Sequence, residues 1–176
     1  LNHKITSAML DGIDLDAFQF SSVHEPCPAD VSVDQLKQRD WLISSTNEEN
    51  RCQGVQAIQR SIDLAARLHA STVVIHAGHA NADKALEKKL WALHASDQRE
   101  SEEYQKIKAQ MIQVRADTAK PAFSAVVKSI SELLAYAEPL GVSLGIENRY
   151  HYMEFPNPDE LDILLSLAAP DRIGFL

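Results

Sequence analysis

Three stretches place a group able to do chemistry at the end of an apolar run. Val73-Val74-Ile75 ends in His76, with Gly78 and His79 just behind it. Leu144-Gly145-Ile146 ends in Glu147, followed by Asn148 and Arg149. The run from Phe18 to Val23 ends in His24. Imidazole is a frequent metal ligand and a general base near neutral pH. A carboxylate closing a buried strand is costly unless a cation or a metal answers it. Taken singly, each histidine is also explained by a hydrogen bond to a neighbouring carbonyl, and Glu147 by an ion pair with Arg149. If the three strands run parallel, their C-terminal ends lie together. His24, His76 and Glu147 then form a metal-type ligand set. His79, Arg149 and His151 follow those ends closely enough to be candidate substrate contacts, with Tyr152 near the mouth of the same site. Glu154 reads as solvated, and His3, His69 and His94 as structural or surface groups on helices. No GxSxG, P-loop, GxGxxG or HExxH pattern offers a competing chemistry. Cys27 lies close to His24 in sequence but has no convincing partner base.

The elements that must position these groups follow from hydrophobic periodicity. Thr72 to Ile75 is β-branched throughout and is stopped by glycine, which predicts a strand buried on both faces. Val142 to Ile146 and Ile173 to Leu176 read the same way. Val55, Ile58, Ile62, Ala65 and Leu68 recur at helical spacing, with Ser45, Thr46 or Asn47 as N-cap and Glu48 and Glu49 in the first turn. Weaker signals suggest the end of a helix within residues 2–10 and a short helix between Asp30 and Ser45. Residues 81–138 hold a long helical region: Asn81 caps a helix from Ala82 to Leu93, Ser101 caps another, and Pro121 interrupts it or starts a new turn. Its Lys, Glu and Gln content suits a solvated helical hairpin, with a lid over the site or a dimer contact as alternatives. Gly141 stops the last helix. Asn157-Pro158-Asp159-Glu160 is a helix start. Alternation of buried strands and amphipathic helices predicts about four parallel strands with helices outside.

The chain of 176 residues, 45% hydrophobic and 24% charged, is large enough for one globular unit with a real core. A net charge of −8 gives no general field to attract a nucleic-acid backbone, so nucleic acid is an unfavoured partner. The two cysteines form no CxxC and suit a reducing, cytoplasmic compartment. No apolar run approaches the roughly 20 residues that span a bilayer.

The stretches Val74-Ile75-His76-Ala77-Gly78 and Leu144-Gly145-Ile146-Glu147-Asn148-Arg149-Tyr150-His151, with the Arg51 to Leu68 helix before the first, resemble the xylose isomerase-like TIM-barrel superfamily of sugar-phosphate isomerases/epimerases and endonuclease IV-type proteins. The resemblance runs from about Phe18 to Leu176. It implies a (β/α)8 barrel, here partial and formed by roughly the second to fifth strands over residues 1–176. It further implies a divalent metal (Zn, Mn, Mg or Co) held by His24, His76 and Glu147, with Glu147 also the catalytic acid/base. The expected activity is isomerisation or epimerisation of a small sugar or sugar phosphate by proton transfer next to a carbonyl. Two alternatives are a zinc phosphodiesterase acting on abasic DNA and a non-catalytic binding module. The family's remaining ligands lie on later strands. Because the sequence opens at Leu1 and closes on an apolar strand, the chain is expected to belong to a longer protein. Failing that, it should self-associate through open sheet edges, as a homo-oligomer.

Overall fold

The β-branched runs form a parallel sheet in the computed structural model, which describes residues 1–81 and 83–176. Strands β1 (Ser22–His24), β2 (Thr72–His76), β3 (Ser143–Glu147) and β4 (Ile173–Phe175) lie in the order β1-β2-β3-β4, each parallel to its neighbour. The architecture is thus α/β with a parallel four-stranded sheet and helices packed on it, as the alternation predicts. The first strand is shorter than expected: of Phe18 to Val23 only Ser22 and Val23 pair, and Phe18 is exposed. Register matters more than length. His76 is opposite Glu147, and His24 is opposite Val74. All three polar groups therefore finish at the C-terminal edge.

Helix α1 (Ser7–Leu10) precedes the first strand, and between the strands run α2 (Val33–Gln38), α3 (Glu48–Arg67), α4 (Ala85–Ala95), α5 (Glu102–Ala137) and α6 (Pro158–Leu165). Asn47 is the cap of α3, its side chain accepting from the Asn50 N–H, while Val55, Ile58, Ile62 and Ala65 are buried. Asn157 and Glu160 close a reciprocal capping box on α6, with Pro158 in the first turn, where its missing N–H costs nothing. Ser32 and Gln35 do the same for α2. The core gathers Val23, Ile62, Val73, Ile75, Val126, Ile130, Leu133, Leu144 and Ile146, from sheet, α3 and the second half of α5.

Two expectations about the helical region change. Pro121 neither breaks nor starts a helix; α5 runs through it for 36 residues. The proline is exposed, and the buried stripe Ala122, Val126, Ser129, Ile130 and Leu133 beyond it holds the helix together against the local loss. The start of the preceding helix at Ala82 lies outside the described residues; α4 begins at Ala85, next to Lys84. Helices α4 and the first part of α5 pack as a pair around a separate small cluster of Leu90, Ile107, Met111 and Met153. Met153 belongs to the loop after β3, so the hairpin is seated on the loop that leaves the site. A 3-10 turn, Glu138–Leu140, and left-handed Gly141 (φ +67) deliver the chain into β3. No helix among the described residues is long and apolar enough to cross a membrane.

Candidate metal and active site

Strand pairing brings the three polar strand ends within reach of one another. His24 Nε2 is 3.1 Å and His76 Nε2 is 3.6 Å from Glu147 Oε2. The ligand-type atoms of His24, His76 and Glu147 all lie within 4.8 Å of each other. The two rings are tilted at 4.7 Å between centroids. All three side chains are half-buried and line a cavity of about 960 Å³. Glu147 meets the imidazoles and not Arg149, so the alternative of an Arg149 ion pair is not what the carboxylate finds.

The backs of both rings are held. His24 Nδ1 donates to the Glu25 carbonyl at 3.0 Å, and a carbonyl only accepts, so Nδ1 carries the proton. His76 Nδ1 is 3.4 Å from Glu25 Oε1, and the same oxygen accepts the His76 backbone N–H at 3.1 Å. In both rings Nε2 is left facing a carboxylate oxygen. Either Nε2 also carries a proton, or a cation stands between nitrogen and oxygen. The donor set fits the second case. Ligand atoms around a tetrahedral ion at Zn–N and Zn–O distances sit roughly 3.3 Å apart; the two histidine–carboxylate spacings, 3.1 and 3.6 Å, are close to that, and all three ligand atoms lie within 4.8 Å of each other. A carbonyl or carboxylate behind each imidazole is also the usual support of a ligating histidine.

Around this group the loops differ from their sequence-based placement. His79 is partly buried: its backbone N–H donates to Ser44 Oγ at 3.2 Å, and it forms a bridge with Glu154. Burial pushes its imidazole below the usual value, so it is neutral at pH 7. Glu154, expected in solvent, is instead a wall of the cavity with its side chain 10% exposed. Its Oε1 is 4.0 Å from Lys84 Nζ and its Oε2 is 3.6 Å from Arg149 Nε, with no hydrogen bond to Oε2. His79 and Arg149 line the cavity with the three strand-end groups. His151 does not. Its Nδ1 is 2.7 Å from Glu87 Oε2 on α4, in a neighbouring groove. His3, read as a helical surface group, lies ahead of α1, packs edge-on against His24 at 5.9 Å and lines the cavity. Cys27 is fully buried, and burial pushes its thiol up, away from the thiolate that ligation or nucleophilic attack requires.

Sequence reading missed Glu25, Ser44 and Glu154. Glu25 adjoins His24, and that adjacency was the one available signal. Ser44 and Glu154 reach the site only through the paths of their loops.

A solved structure described as a D-tagatose 3-epimerase-like protein is similar to this chain, with a TM-score of 0.52 and 18% sequence identity. The match covers 91% of this chain and 57% of that one. At such identity the likeness is one of fold, and the fold is a partial TIM-barrel-like arrangement of parallel strands and helices. No protein-family model matches the sequence, and no curated protein is significantly similar to it.

Proposed function

We propose that this chain carries metal-binding and proton-transfer residues of a barrel-type isomerase or epimerase acting on a small sugar or sugar phosphate. The observation that carries this reading is the meeting of His24, His76 and Glu147 at the C-terminal ends of three adjacent parallel strands. That edge is where barrel enzymes place their chemistry. The epimerase-like description of the structural neighbour supports the sugar class.

In this reading His24, His76 and Glu147 would hold a divalent ion. A bound Zn, Mn, Mg or Co ion supplies polarisation of the substrate's carbonyl and hydroxyl oxygens. Glu147, its carboxylate steered by the two imidazoles, takes the proton from the carbon next to the carbonyl; in an isomerisation it returns the proton to the adjacent carbon, and in an epimerisation a second acid delivers a proton to the opposite face. His79, neutral and partly buried, and Arg149 orient hydroxyl groups from the far wall. Glu25 holds the His76 ring in place. The chain spans 57% of the neighbour's length.

Metal titration by calorimetry, together with turnover on a panel of ketoses, tests the reading. Zn or Mn should bind at one site, and Glu147→Gln should lower affinity at least about tenfold while abolishing turnover. Unchanged turnover in Glu147→Gln removes its proton-transfer role. Cleavage of abasic DNA in place of ketose turnover moves the chemistry to phosphodiester hydrolysis, which the net charge of −8 disfavours.

A further inference from the structure

A second groove of about 640 Å³ opens beside the first cavity and shares Arg149, Tyr150 and Glu154 with it. Its rim is an aromatic platform made by α4 and the loop after β3. Trp91 is 49% exposed and Tyr150 74% exposed. Their rings are near-parallel at 28° and 6.1 Å, and Trp91 also stacks on His151 at 20° and 5.7 Å. Exposed aromatic rings arranged this way are unusual unless something covers them. The platform is also held firmly. His151 is fixed by Glu87 at 2.7 Å, and the Tyr152 N–H donates to the other oxygen of Glu87 at 3.0 Å. Both ends of the His151–Glu87 pair are buried.

Below the platform the groove wall is mixed: Leu90, Met111 and Pro156 stand beside opposite charges that balance. Carboxylates Glu87 and Glu154 and guanidiniums Arg115 and Arg149 all line it. Arg115 is buried; its Nη2 donates to Glu160 at 2.7 Å, but its Nη1 has no hydrogen-bond partner. Glu154 Oε2 likewise has none. An unpaired donor and an unpaired acceptor buried in side chains that line the groove, among charges that cancel, suit a neutral ligand whose groups both donate and accept once that wall adjusts. Hydroxyls do that. A phosphate would meet Glu87 and Glu154, and an acidic or basic peptide would meet one wrong sign throughout. A flat apolar face on the same ligand completes the description, and a sugar ring has one.

We infer that this groove is a subsite for a second sugar ring, so that the substrate of the neighbouring cavity is a disaccharide whose reducing ring supplies the carbonyl. The shared wall of Arg149, Tyr150 and Glu154 sets the two rings side by side, one near Glu147 and the other on Trp91 and Tyr150. The inference rests on the sugar reading of the first cavity for its inner ring; binding in the groove itself requires no metal.

Calorimetric titration of the metal-free chain with methyl glucoside, cellobiose, maltose and lactose tests it, alongside Trp91→Ala, Trp91→Phe and Glu147→Gln. At least one disaccharide should bind about tenfold or more tightly than the single-ring sugar. Trp91→Ala should erase that preference, Trp91→Phe should restore most of it, and Glu147→Gln should keep it. Because Trp91 is half-exposed, its truncation leaves the core intact. Equal affinity for one and two rings, no binding of any of these sugars, or a preference that survives Trp91→Ala would each overturn the subsite. So would Trp91-dependent self-association seen by sedimentation, which would give the platform to a second copy of the chain. If metal binding fails while the Trp91-dependent preference stands, the metal reading of the cavity falls and the groove remains.

Discussion

At the residue scale, the site depends on groups that hold other groups. Glu25 touches both the backbone and the ring of His76. Glu25→Gln keeps an oxygen for the backbone N–H but removes the charge behind the ring. We expect metal affinity to fall about tenfold with little change in unfolding midpoint, measured by calorimetry and thermal melting. Gly78 has φ +83, and a Cβ there would collide with the Ser44 side chain, which also accepts from the His79 N–H. Gly141 also has positive φ, but a Cβ there meets nothing within 4 Å. Gly141→Ala should therefore cost only the backbone term, about 1–2 kcal/mol. Gly78→Ala should cost more and displace the His79 loop. Equal losses in the two variants by denaturant unfolding would show that the Ser44 contact is slack. His24, His76 and Glu147 were visible in the sequence as an unusual type of residue at a recognisable place, the end of an apolar run. Ser44 was not, and Glu25 offered only its adjacency to His24, because nothing local says that their side chains turn towards the end of the second strand.

Helices α3 and α5 show what periodicity can and cannot reveal. The apolar stripe and the Asn47 cap of α3 are local and were readable. Its attachment to α5 is not local: Arg51 is buried and donates to Glu48, Ser129 and Glu132. Arg51, followed by Lys128, holds the Glu48 carboxyl down from 4.5 to about 2. A folded-state pKa below the unfolded value means stability that is complete above about pH 4.5 and is lost as pH falls towards 2. Glu48→Gln should flatten the acid limb of the stability curve over that window and leave the curve above pH 5 parallel to that of the unsubstituted chain. Since Glu48 is exposed, added salt should shrink the effect. Pro121 was read as an interruption because a proline inside a helix removes one N–H and crowds the carbonyl four residues earlier. Continuity of α5 across it is a tertiary result, enforced by the core stripe that follows. Pro121→Ala should relieve the local conflict and stabilise the chain by about 1–3 kcal/mol in denaturant unfolding. A neutral or destabilising outcome would mean that the helix bends at Pro121 in a way its packing requires.

The whole molecule is an open sheet, and its two edges are not alike. The parallel order follows from strand–helix alternation, which is why it was legible from the sequence. The state of the edges was not legible, because it depends on what lies beside them. At the β1 edge the chain covers itself: the His24 N–H donates to the Leu1 carbonyl at 2.9 Å, and the Leu1 amino group donates to the Ser22 carbonyl at 3.2 Å. The expectation of two bare edges is thus corrected on that side. The outer side of β4 has no such partner strand among the described residues, and Phe175 and Leu176 are 49% and 60% exposed. Unpaired N–H and C=O groups beside large apolar side chains are a template for another strand. The 176-residue chain should therefore associate through β4, with a sedimentation-derived mass that rises from 19.5 kDa with concentration. Phe175→Lys should return it to the monomer without changing the geometry of the His24, His76 and Glu147 group, since a charge on an edge strand opposes pairing. A chain that stays at 19.5 kDa at high concentration, or a Phe175→Lys variant that associates equally well, would exclude β4 as the contact.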